Sequence, residues 1–250
     1  LAPAPVAPDH MFTIAPHAME AFGALVKSWA KSPETAPVGK HSVESFAAIL
    51  EAHGIEEVSA HRSGAPDRAI LEADVLMIGG GNTFRLLDSL RGLDVLDGVR
   101  TRVRQGDCRY MGASAGTNVA CPTIATTNDM PICRPPDFEA FGLVPFQVNL
   151  HYIDVDPTST HMGESREERI TEFLEENDCR VLALYEGAWL RVSGATARVT
   201  GPAHVFGRDG STSYLDGGDV TDLLGDRPSF GGARRPRRGP GSPDETPGVA

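Results

Sequence analysis

The chain predicts an α/β domain in which a mostly parallel sheet carries helices on both faces and presents a functional edge at the carboxyl ends of its strands. Three observations carry that expectation. Apolar runs alternate with amphipathic stretches, and two of the runs lead directly into glycine-rich turns. The third is size: 250 residues with 40% hydrophobic content suffice for one sizeable core.

Residues 1–40 form a divergent segment of poor legibility. Pro and Ala dominate its start, residues 17–30 have helical periodicity, residues 32–39 are polar and Pro-rich, and no strand is predicted there. The α/β domain is expected over residues 41–225. Ser42 is placed to cap a helix that carries Val43, Phe46, Ile49 and Leu50 on one face and stops at Gly54. Residues 55–60 then read as a strand. The continuous apolar run Val75–Ile78 enters Gly79-Gly80-Gly81, the pattern of a buried parallel strand followed by a tight turn, and Asn82 can cap the next helix. Residues 108–111 read as a short buried strand, Ala115–Ala120 as a helix, and residues 144–149 as a further strand. Ser165 and Glu168 make a capping box for a helix with Ile170, Phe173 and Leu174 inward. Residues 181–185 are the next buried strand, and residues 189–215 read as a short antiparallel extension. The Arg/Pro/Gly-rich tail, residues 226–250, is expected to be disordered because it cannot bury much apolar surface.

The net charge of −11, from 34 acidic against 23 basic residues, argues against nucleic acid or an anionic membrane as partner and favours a small substrate. The basic run Arg234-Arg235-Pro236-Arg237-Arg238 in the tail is a weak signal beside that balance. Cys108, Cys121, Cys133 and Cys179 form no C-x-x-C pair and read as reduced thiols, which suggests the cytoplasm. The opening Leu1-Ala2-Pro3-Ala4-Pro5 lacks a signal-peptide pattern, and no apolar run is long enough to span a bilayer.

Gly112-Ala113-Ser114-Ala115-Gly116 is the segment that points to chemistry. A serine at a sharp strand-to-helix turn needs small neighbours, so that its hydroxyl enters a cleft and the next N–H faces the substrate. Small residues at such a turn also serve close packing alone. The neighbouring residues tip the balance: residues 114–124 with 126–132 closely resemble the signature of peptidase E, the aspartyl dipeptidase family of serine peptidases. Gly79-Gly80-Gly81-Asn82-Thr83-Phe84, residues 141–152, residues 163–169 and Glu186-Gly187-Ala188-Trp189 resemble the same family in order and spacing, over roughly residues 55–210. The resemblance implies a flavodoxin-like or class I glutamine amidotransferase-like sheet and hydrolysis of dipeptides with an N-terminal aspartate. It calls for no metal and no cofactor. A cyanophycinase-like substrate and a catalytically inactive binding homologue are the competing readings, and either a monomer or a homodimer is compatible with the chain.

Ser114 needs a base, and His151 at the end of the strand-like run is the candidate among eight histidines. Two acids compete to orient it: Glu186, which ends the strand over 181–185, is favoured by topology, and Asp129 is supported by the resemblance. The oxyanion donors expected are the N–H of Ala115 and one from Gly80 or Gly81, although G-G-G-N could alternatively cradle a phosphate. Arg166 matches the family position for a cation that clamps the substrate carboxylate, and Arg169 is expected to pair with acids on its own helix. Two departures from the family stand out. No amino-terminal apolar strand is visible, and Leu150 replaces the usual proline before the histidine.

Overall fold

The computed structural model describes residues 11–14, 52, 57–155, 158 and 163–230. Its strands form two sheets. The first has the order β2-β1-β3-β4, with β1 (Met11–Ile14), β2 (Glu57–Ser59), β3 (Val75–Ile78) and β4 (Arg109–Gly112). The second has the order β5-β6-β8-β7, with β5 (Gln147–Leu150), β6 (Val181–Leu184), β7 (Trp189–Ser193) and β8 (Thr196–Phe206); β9 (Thr212–Asp219) also pairs with β8.

The arrangement is mixed rather than mostly parallel. Only β3–β4 and β5–β6 run parallel among the described pairings, and the other five are antiparallel. The reason lies in the connections. Parallel neighbours require a crossover, and the chain supplies one in each case: α2 (Thr83–Gly92) and α3 (Leu96–Gln105) between β3 and β4, and α5 (Arg166–Glu176) between β5 and β6. Two further α-helices are described in full, α1 (Pro66–Leu71) and α4 (Ala115–Ala120). Residues 189–219 contain no such crossover, so β7, β8 and β9 fold back on one another. The antiparallel extension is therefore present, but β8 pairs directly with β6 and makes it an integral part of the second sheet.

β1 corrects the reading of the amino-terminal segment. Met11, Phe12 and Thr13 pair with Ile78, Met77 and Leu76, and Phe12 to Ile14 pair with β2 on the other side. A four-residue strand is too short to display alternation, and its identity comes from the two neighbours that it joins. The helices expected over 17–30 and 42–54 lie outside the described residues, apart from the helical Ala52. So does the tail beyond residue 230. Its first residues are anchored: Arg180 is hydrogen-bonded twice through Nε to the Asp226 carboxylate (3.0 and 2.9 Å), and Asp178 and Ser229 form a β-bridge.

β3 is buried along its whole length, as its unbroken apolar run predicts, and Leu76 and Ile78 join Leu87, Leu90 and Phe141 in the first core. β4 differs from expectation. Arg109 and Gly112 are exposed while Tyr110 and Met111 are half-buried, because β4 closes the described edge of the first sheet. A second core joins Phe146, Val148, Leu182 and Leu184 to Ala197 and Val199 from β8. The predicted caps form: the Asn82 side chain accepts from Arg85 N–H, and Ser165 and Glu168 make both bonds of the capping box.

All four cysteines are free, with Cys108, Cys121 and Cys179 buried and Cys133 half-buried. Burial pushes the Cys121 and Cys179 thiols from 9.0 up to about 12. Below pH 9 both thiols are neutral whether the chain is folded or not, so the stability linked to them is fully present. Above that the unfolded thiols ionise first, the folded state binds more protons, and stability falls as pH rises from about 9 towards about 12. A thiol titration at pH 8 should accordingly find only Cys133 readily reactive in the native protein and four thiols in denaturant. Denaturant midpoints should decline above about pH 9.

Candidate active site

The turn between β4 and α4 places Ser114 at φ 51° and ψ −117°, a conformation that L side chains seldom adopt. Its surroundings enforce it. A Cβ on Gly112 would lie 2.6 Å from the backbone of Gly116, and one on Gly116 would lie 2.0 Å from the carbonyl oxygen of Ile78. Both glycines of the G-x-S-x-G motif are thus demanded by backbone approach between the end of β3, the end of β4 and the start of α4. Hydrogen bonds close the same contact: Ala113 N–H donates to Ile78 O (2.9 Å) and Gly116 N–H to Gly79 O (3.1 Å).

His151 follows β5 and Glu186 follows β6. The parallel register sets Leu150 opposite Leu184, so the two residues emerge together at the carboxyl edge of the second sheet. His151 Nε2 lies 3.2 Å from Ser114 Oγ, and the opposite ring nitrogen, Nδ1, is hydrogen-bonded to Glu186 Oε1. With Glu186 accepting from Nδ1–H, Nε2 is left to accept the Ser114 hydroxyl proton. The side chains of His151 and Glu186 are 51% and 67% exposed, so substrate can reach the pair directly.

Of the two acids the sequence left open, Glu186 is the one brought to His151. Asp129 is used elsewhere: its Oδ2 accepts from the N–H (2.7 Å) and the hydroxyl (2.5 Å) of Thr83, the first residue of α2. It fastens the helix that follows the glycine loop. Gly80 is the member of that loop against the serine, since a Cβ there would lie 3.3 Å from Ser114 Cβ and 3.7 Å from Oγ. Gly81, at φ 134°, makes the turn that permits this approach. Ala115 is the first residue of α4, and its N–H has no partner within the helix. Arg166 opens α5 half-buried, with its pKa lowered by burial and by Arg169. Among the described residues it makes no ion pair and no hydrogen bond to Ser114, His151 or Glu186, whereas Arg169 pairs with Glu164 at 3.3 Å.

The sequence reading missed the residues that join the serine to its base. The segment after α4 lies along β5: Thr126 Oγ1 donates to Val148 O (3.0 Å), Asn128 Nδ2 to Leu150 O (2.6 Å), and Asn149 Nδ2 to Thr126 O (2.9 Å) and Asn128 Oδ1 (3.1 Å). Further along it reaches the start of α2, just after β3 and the glycine loop, through Asp129 and Thr83. The available signal was chemical. Gln147 and Asn149 are amides inside an apolar strand, buried to 0% and 3% exposure, and such groups require partners.

A family model, peptidase family S51, matches residues 10–200, a span that takes in β1. Peptidase E of Streptomyces coelicolor is 51% identical over 180 residues, covering 71% of this chain and 74% of that protein. A probable alpha-aspartyl dipeptidase of Drosophila melanogaster is 44% identical over 178 residues, covering 70% and 74%. Peptidase E of Salmonella arizonae is 45% identical over 160 residues, covering 64% and 69%.

The turn geometry makes Gly116→Ala destabilising. Its methyl group would meet backbone rather than a flexible side chain, so the cost expected is at least about 3 kcal/mol. Thermal unfolding would read this as a Tm lowered by roughly 6 °C or more, whereas Ala113→Ser, outside both close contacts, should unfold like the parent.

Proposed function

The chain belongs to peptidase family S51 and is a serine-type dipeptidase; we propose that it cleaves dipeptides with an N-terminal aspartate, with Ser114, His151 and Glu186 performing the reaction. The observation that carries the reading is the hydrogen-bonded chain from Ser114 Oγ through His151 to Glu186, set on a turn that holds the serine in a strained conformation. Ser114 Oγ attacks the aspartyl carbonyl carbon as its proton passes to His151 Nε2. Glu186 stabilises the imidazolium that forms, and His151 returns the proton to the departing amine. Water, deprotonated by the same nitrogen, then adds to the acyl carbon, and the bond to Ser114 Oγ breaks as His151 returns the proton to Oγ, which frees aspartate. The N–H of Ala115 and that of Gly80 or Gly81 bind the oxyanion, Gly80 being the glycine against the serine.

Arg166 is the cation assigned to the substrate carboxylate, and its half-burial without an ion-pair partner among the described residues supports that assignment. Asp129 contributes by holding α2 and the glycine loop, not by touching His151. The free thiols support a cytoplasmic setting. No described helix is long and apolar enough to cross a membrane.

Release of aspartate from Asp-Leu should fall by at least about 10⁴-fold in Ser114→Ala and His151→Ala. Undiminished turnover by folded Ser114→Ala would overturn the reaction proposed. The two acids separate by readout: Glu186→Gln should lose about 10³-fold or more in kcat with Tm retained, whereas Asp129→Asn should lower Tm by loss of about 1 kcal/mol at the start of α2. For Arg166→Gln, preference for Asp-Leu over Asn-Leu should shrink about tenfold or more. Equal preference in parent and variant would remove Arg166 from the substrate site.

A further inference from the structure

The residues beside His151 and Glu186 in the chain are both tyrosines, and the reaction uses neither. Tyr152 is 2% exposed, Tyr185 is half-buried, and their rings meet edge to face with centroids 5.1 Å apart. Tyr152 N–H donates to Leu184 O at 3.0 Å. The Tyr185 hydroxyl donates to Asp154 Oδ1 at 2.6 Å, three residues beyond His151. Behind both rings lies His204 of β8, at centroid distances of 5.4 Å from Tyr152 and 5.9 Å from Tyr185. The segment that carries the base and the segment that carries the acid are therefore clasped to each other.

Such a clasp answers a specific need. His151 has φ 54°, a left-handed conformation that persists only where the surroundings over-determine it. Its ring and the Glu186 carboxylate stand more than half exposed, so packing on those side chains supplies little restraint. What remains is the backbone on either side. Leu150 O, before His151, is held by Asn128 Nδ2; Tyr152 and Asp154, after it, are held by the β6 end through Leu184 and Tyr185. Burial and the bond to Asp154 raise the Tyr185 pKa, so its hydroxyl stays a donor to higher pH than a free phenol would.

We infer that Tyr185 is a positioning residue, whose hydroxyl on Asp154 fixes the segment after His151 and thereby the geometry of the His151–Glu186 pair. The inference rests on the reaction proposed above for that pair. It predicts that Tyr185→Phe and Asp154→Asn each lower kcat for Asp-Leu about tenfold, with KM changed less than twofold. The double variant should lose no more than either single one, because the two side chains make one bond. Tyr214→Phe is the control: this tyrosine is 57% exposed, sets its ring edge against His204, takes no part in the bond between Tyr185 and Asp154 and should keep the parental kcat.

A second readout needs no turnover. In the substrate-free protein, the downfield proton resonance of His151 Nδ1–H should be present in the parent and in Tyr214→Phe, and broadened by exchange in Tyr185→Phe. Failure of the parent to cleave Asp-Leu would count against the proposed substrate alone, since this resonance still tests the positioning. An unchanged resonance in Tyr185→Phe, or a fall in kcat matched by Tyr214→Phe, would overturn the inference.

Discussion

The approach of the α4 start to the end of β3 is the contact on which the site depends. Gly116 lies so close to Ile78 O that no Cβ fits, and this proximity forces the chain between Gly112 and Gly116 into a turn with Ser114 at its apex. One steric fact therefore sets several others. It aims the hydroxyl out of the sheet edge, brings Ala115 N–H beside it, and lays Gly80 against the serine side chain. The strain at Ser114 is stable because two backbone hydrogen bonds and buried neighbours on β3 would all have to be lost to relieve it. Catalytic exposure and structural rigidity come from the same few atoms.

His151 and Glu186 reach this turn from a different sheet. Between the two sheets runs the segment after α4, whose side chains bond to β5 at one end and to α2 at the other. Asp129 acts there as a fastening group. Its carboxylate satisfies an otherwise unpaired N–H at the start of α2, where a negative charge also suits the helix dipole. The glycine loop immediately precedes that point, so the position of Gly80 relative to Ser114 depends on a carboxylate that never reaches the histidine. Family signatures mark such residues as strongly as catalytic ones, and only the bonding pattern tells them apart.

What could be read from the chain followed physical distinctness. Val75–Ile78, the G-x-S-x-G turn, the Asn82 cap and the Ser165 capping box each have a local cause, and each stands where the sequence put it. Ser114, His151 and Glu186 were marked for a related reason, because each follows an apolar run; one sheet edge was expected to hold all three, and the structure brings them together from two sheets. β1 was invisible because four residues become a strand only through their neighbours. The mixed sheet was missed likewise: alternation of strands and helices predicts crossovers, but it does not say that β1 would enter between β2 and β3 or that β8 would run back along β6. The choice between Glu186 and Asp129 needed geometry, since both are acids near glycines or turns and only three-dimensional placement separates them.

The order Ser, His, Glu along the chain follows from this division of labour. His151 and Glu186 sit at the ends of hydrogen-bonded parallel neighbours, so the register of β5 and β6 brings them to the same place. The serine is placed by β3, β4 and α4, and its relation to the histidine is set through side-chain bonds across the two sheets. The contact from Nε2 to Ser114 Oγ, at 3.2 Å, is the one that joins the two sheets. The length of the acid follows as well. His151 stands one residue beyond the paired Leu150, and Glu186 stands two beyond Leu184, so the carboxylate must reach back across the strand spacing. Aspartate, shorter by about 1.5 Å of carbon chain, would leave that bond unmade unless the backbone after β6 moved. Tyr185 and Gly187 restrict such a movement, one through Asp154 and the other through a turn at φ 79°. A glutamate at this position is thus a consequence of the register, and His151 has its carboxylate partner from the sheet that supports both.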